Sequence, residues 1–158
     1  MEIKATLKKP YTDEERMSFI VQYNHGMGYT IEETETELQA LGYTEEEIAL
    51  QEKERIAKLY LTGADVERGI YQAKGMDFDD ILAFVMANPP QGIDVKALRI
   101  ELKANHFYRG NPYVNAVGAL LGFTSEQLDK FFETNDYTVL LPPVEEEDPV
   151  KEVVNEDN

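Results

Sequence analysis

Gly28-Tyr29-Thr30-Ile31-Glu32, Gly42-Tyr43-Thr44-Glu45-Glu46, Gly75-Met76-Asp77-Phe78-Asp79 and Gly122-Phe123-Thr124-Ser125-Glu126 are four copies of one phrase. Each has a glycine, an apolar residue, a Thr or Asp, one further residue and an acid. Glycine accepts the left-handed conformation that ends a helix. The Thr or Asp side chain can bond the first free N–H groups of the helix that follows. The phrase therefore reads as a helix-to-helix corner, and its recurrence predicts a run of short helices joined by tight turns.

Working outward, the same capping logic places the elements. Thr12 with Glu15 forms a capping box, and Met17, Ile20, Val21 and Met27 recur at helical spacing, predicting an amphipathic helix over 13–27. Thr30 with Glu33 predicts a short helix ending at Leu41-Gly42, and Thr44 with Glu47 a helix running to Leu61. The first half of that third helix, Glu45 to Glu54, is poor in apolar residues and reads as solvent-exposed. Thr62 with Asp65, Asp77 with Asp80, Asp94, Asn111-Pro112 and Thr124 with Gln127 are further candidate helix starts. Residues 2–8 read as a short strand or extended arm, and Tyr137 to Leu141 as a strand or docked tail. The expected fold class is all-α, with six to seven short helices in two lobes. An acidic N-terminal lobe covers 1–61, a C-terminal lobe 62–141, and an acidic tail 142–158.

Composition bounds the chemistry. The chain has 158 residues, 42% of them hydrophobic, and 15 Lys and Arg stand against 31 Asp and Glu, a formal charge of −16. That charge repels nucleic acid and anionic membrane and favours a basic protein partner. No cysteine is present, which excludes disulfides, thiolate metal sites and thiol nucleophiles. No apolar run has the length of a membrane helix or a signal-peptide core. The expectation is a soluble protein, and the lack of cysteine fits a cytoplasmic one. Charge is uneven: residues 10–54 hold twelve acids against Arg16 and Lys53, and residues 142–158 hold seven acids and one lysine without an aromatic residue. The tail cannot bury enough surface to offset its ordering entropy, so it is expected to be disordered.

Catalytic motifs are lacking: GxSxG, HExxH and the phosphate loop are all absent. His25 lies near a helix C-terminus, where its interaction with the carbonyl dipoles suffices to explain it. Asp77-Phe78-Asp79-Asp80 lacks the frame of a calcium loop, and helix capping accounts for Asp77 and Asp80. Neither a catalytic residue, a metal nor a cofactor is expected. The densest cluster of polar and aromatic groups is Asn105 to Tyr113. It reads either as a loop stapling two helices, with Phe107 and Tyr113 in the core, or as a surface on which Tyr108, Arg109 and Tyr113 anchor a partner. A pocket joining His106 and Arg109 to carboxylates would instead favour an enzyme.

Three resemblances bear on function. The glycine-aromatic-Thr turn resembles that of helix-turn-helix domains, but the acids flanking it deny the phosphate contacts such domains need. Met27-Gly28-Tyr29 with Glu37 to Tyr43 resembles the loop and second helix of ubiquitin-associated domains. Lys4-Ala5-Thr6-Leu7-Lys8-Lys9-Pro10-Tyr11-Thr12, Asn24-His25-Gly26-Met27-Gly28-Tyr29 and Glu32-Glu33-Thr34-Glu35-Thr36 resemble the opening of small phage- and prophage-encoded proteins of Gram-positive bacteria. Phe107 to Pro112 and Leu128 to Phe132 also resemble segments of some members. That resemblance implies a protein encoded near tail genes, in the host-cell cytoplasm or associated with a virion, with a role in the tail or its assembly and no catalytic residues to transfer. The expected function is non-enzymatic binding to a phage structural protein or a basic host protein. The alternative is an acidic DNA mimic that inhibits a host DNA-binding protein.

Overall fold

Along Glu37–Gly42 the residues Leu38, Ala40 and Gly42 are buried while those between them are only half-buried. That two-residue period belongs to a strand, and it overturns the helix expected to end at Gly42. The computed structural model describes residues 1–144, and among these the chain is mixed α/β, with seven α-helices and five strands in two antiparallel sheets. The all-α expectation is therefore corrected. Two compact units divide the chain, Met1–Lys58 and Leu59–Asn158. Residues 145–158 of the expected disordered tail lie outside the described residues.

In the first unit, β1 (Glu2–Lys8), β2 (Thr30–Glu33) and β3 (Glu37–Gly42) form a sheet of order β1-β3-β2. Leu7 pairs with Leu38, and Ala5 and Ile31 flank Ala40 from either side. These inward side chains meet Phe19 and Ile20 of α1 (Asp13–Gln22) and Tyr23, which caps its C-terminus. The expected helix over 13–27 stops at Gln22. Met27 sits in a separate 3₁₀ turn, His25–Met27, and is exposed together with Met17 and Val21. The buried side of α1 is the one carrying Phe19, rotated from the stripe the spacing suggested.

Thr34 explains why a cap-like sequence became a hairpin. Its hydroxyl donates to the Glu37 carbonyl at 2.9 Å and accepts from the Glu37 N–H at 3.0 Å, closing the turn between β2 and β3. Short hydroxyl side chains serve turns as readily as helix caps. Glu33, expected to complete a capping box, instead accepts from the Tyr11 hydroxyl at 2.7 Å and pairs with Lys9 at 3.0 Å. Arg16 lies 3.5 Å from its other oxygen. The Tyr11 bond, reinforced by Lys9, holds the Glu33 carboxyl down at about 2. The last element, α2 (Glu45–Ala57), opens with the expected Thr44–Glu47 box and buries none of its residues. It ends four residues short of the expected Leu61.

The second unit holds β4 (Tyr60–Thr62), α3 (Gly63–Lys74), α4 (Phe78–Ala87), α5 (Val95–Glu101), β5 (His106–Tyr108), α6 (Pro112–Leu120) and α7 (Ser125–Thr134). Gly75 and Gly122 take φ of 71° and 85°, and Asp77 and Thr124 cap α4 and α7 through complete boxes. Two copies of the opening phrase are thus helix-to-helix corners. The other two join a helix and a strand: Gly28 leads from a 3₁₀ turn toward β2, and Gly42 ends β3 ahead of α2. Ile81, Val85, Leu98, Phe131 and Leu140 lie at the centre of the core. Tyr137–Leu140 is a 3₁₀ turn packed on α3 and α7, the docked form of the two alternatives. Among the described residues no helix is long and apolar enough to cross a membrane.

Candidate functional site

Leu59-Tyr60-Leu61-Thr62 and His106-Phe107-Tyr108 alternate in apolar and polar character, and the structure pairs them as an antiparallel ribbon. Tyr60 lies opposite Tyr108, Leu61 opposite Phe107 and Thr62 opposite His106. The pleat then sends Leu61 and Phe107 into the core and the other four side chains outward. On the outer face three rings meet. Centroids of His106 and Tyr108 are 5.4 Å apart, Tyr60 and His106 5.7 Å, and Tyr60 and Tyr108 5.9 Å. The interplanar angles are 80°, 62° and 54°, the tilted and edge-on arrangements that ring quadrupoles favour. Tyr60 remains 61% and Tyr108 50% exposed, large aromatic surface left to solvent.

The ribbon is short but firmly held. Its ladder extends past the strands, with Arg109 N–H donating to the Leu59 carbonyl and Gly63 N–H to the Asn105 carbonyl, both at 2.8 Å. Gly63 is needed for that approach, because a Cβ there would stand 2.7 Å from the Ala104 carbonyl oxygen. Beneath the ribbon the Phe107 ring meets Phe78 edge-on at 5.7 Å.

Arg109 is not on this surface. It is 5% exposed, and its guanidinium forms an internal clasp. Nε donates to Asp129 Oδ1 at 2.7 Å, Nη1 to Asn115 Oδ1 at 2.6 Å, and Nη2 to the Ser125 carbonyl and hydroxyl at 3.2 and 2.9 Å. One side chain thereby ties the end of β5 to α6 and α7. Its planar fork of donors suits three separate acceptors, which an ammonium could not satisfy together. Tyr113 is half-buried and lines an apolar cavity of about 50 Å³ inside the unit, bounded also by Val66, Phe107, Val117 and Phe131. Of the three expected anchors only Tyr108 faces solvent freely.

Tyr60 is the residue that sequence reasoning missed. The helix expected to run from Thr44 to Leu61 would have contained it. The legible signal was the β-type alternation of residues 59–62 ahead of Gly63, matched by that of 106–108. His106 is exposed, and the wall of that cavity includes neither it nor Arg109. His25 is exposed in its 3₁₀ turn. Asp77 and Asp80 bond each other's backbone N–H groups as capping requires. Among the described residues no three His, Asp or Glu side chains gather as a metal site would need.

No family model matches the chain, and neither a curated protein nor a solved structure is similar to it.

Proposed function

We propose that this is a non-enzymatic phage or prophage protein that works by docking a basic protein partner on the outer face of the β4–β5 ribbon. The observation that carries the reading is the exposed Tyr60–His106–Tyr108 cluster on a ribbon anchored by the core and by Arg109. Tyrosine is enriched among residues that dominate binding energy, since it offers large area for little lost conformational freedom. A rigid support lets that area be used without an ordering cost at binding. The net charge of −16 steers cationic partners toward the chain. The likeness of its opening segments to phage and prophage proteins supports a partner among tail components. The DNA-mimic alternative has less support, because Glu15, Glu33 and Glu47 are engaged in caps and ion pairs.

The test is an affinity pull-down from induced lysogen lysate with the wild-type chain and with the double variant Tyr60→Ala/Tyr108→Ala. Recovery of a tail or baseplate protein by the wild type and its loss from the variant are expected. Equal recovery by both chains would remove the ribbon from the interface. Recovery of a host DNA-binding enzyme instead would make the acidic charge the mechanism.

A further inference from the structure

Three ring centroids separated by 5.4, 5.7 and 5.9 Å form a nearly equilateral triangle. A cation about 3.5 Å above the centre of such a triangle is about 4.8 Å from each centroid, within the roughly 6 Å over which the faces of the two tyrosines attract a cation. We propose that the Tyr60–His106–Tyr108 cluster receives an arginine side chain of the partner protein, an inference that rests on the docking reading above.

The rings are mutually inclined by 54° to 80°. Rings so inclined form no single flat platform for a nucleobase or sugar, whereas a guanidinium can lie over the face of one tyrosine with the other ring beside it. Arginine is preferred over lysine because the guanidinium is less strongly hydrated and stacks on aromatic faces as well as attracting them by charge. The chain carries −16 overall, so a cationic side chain approaches through a favourable field and an anionic one is repelled.

The experiment follows the ring protons of Tyr60, His106 and Tyr108 in the full chain by NMR during titration with three probes. These are a blocked Gly-Arg-Gly peptide, its citrulline counterpart of the same shape without charge, and maltotriose. Saturable shifts with the arginine peptide, at least ten-fold tighter than with citrulline, are expected. They should vanish in Tyr60→Ala and Tyr108→Ala and persist in Tyr60→Phe, which keeps the ring. Both alanine changes are at exposed positions, and the amide spectrum verifies that each variant remains folded. Equal affinity for the arginine and citrulline peptides, no response to the arginine peptide, or a response to maltotriose alone would each overturn the inference. If the arginine peptide fails while the double variant still loses its partner in the pull-down, the docking reading survives without the arginine. If the double variant retains its partner, both readings fall.

Discussion

Replacing Arg109 by Ala removes all four guanidinium hydrogen bonds and leaves Asp129, Asn115 and Ser125 facing a void. Deleting one partner of a buried ion pair destabilises by about 3–5 kcal/mol, because the remaining charge is left uncompensated. Asp129 is 32% exposed and can recover some hydration, which places the expected loss at the lower end, about 3 kcal/mol. Arg109→Lys keeps the charge and one bond but cannot fork among three acceptors, so about half that loss, ~1.5 kcal/mol, is expected. As a contrast, Arg68 pairs with Asp65 on the surface with a side chain 62% exposed, and Arg68→Ala should cost less than about 0.5 kcal/mol. The chain has no tryptophan, so urea unfolding is best followed by far-UV circular dichroism and tyrosine fluorescence, with amide NMR signals of the second unit reported separately. At the size of that unit, 3 kcal/mol corresponds to a fall in Tm of more than about 10 °C. An Arg109→Ala loss within about 1 kcal/mol would refute the clasp as a structural tie. So would an Arg109→Lys variant as stable as the wild type.

Further outcomes follow from the packing. A Cβ on Gly69 would meet Phe131 Cζ at 2.4 Å, so Gly69→Ala should destabilise by about 1–3 kcal/mol although alanine favours helices; chemical denaturation that finds a gain would sink the argument. Val117→Ile adds a methylene beside the cavity of about 50 Å³ and should raise stability by up to about 0.8 kcal/mol, whereas a loss on thermal unfolding would mean that the space is not accessible to it. Glu33 has its carboxyl depressed from the usual 4.5 to about 2, so its stabilising contribution is present above 4.5 and fades as pH falls toward 2. Carboxylate ¹³C NMR should find Glu33 titrating well below its neighbours, and Tyr11→Phe should move it upward; a midpoint near 4.5 in the wild type contradicts the contact. Tyr60→Ala should leave Tm almost unchanged while weakening partner capture, and a large loss of stability would reassign Tyr60 to structure.

Sequence alone determined the helix starts that depend on neighbours. Thr12, Thr44, Asp77 and Thr124 each bond an N–H three residues on, and the fourth residue of each box returns the bond. Asp94 and Asn111-Pro112 likewise open α5 and α6 as read. For the candidate site, residue type alone pointed to Tyr108, together with Arg109 and Tyr113, in a polar-aromatic stretch.

Tertiary structure decided what required a distant partner. Glu37–Gly42 is built from residues that suit a helix, yet it lies between β1 and β2 because pairing on both edges buries Leu38 and Ala40. Thr30 and Glu33 look like a cap only until Tyr11, Lys9 and Arg16 converge on Glu33. Tyr60 could not be joined to Tyr108 by local periodicity, since their contact exists only once the ribbon forms. Arg109, adjacent to Tyr108 in sequence, points the other way because the pleat alternates and three acceptors on α6 and α7 wait inside. A capping bond closes within one turn of chain and is written there. A strand pair or a buried guanidinium is stabilised by groups whose nearness is itself a product of folding.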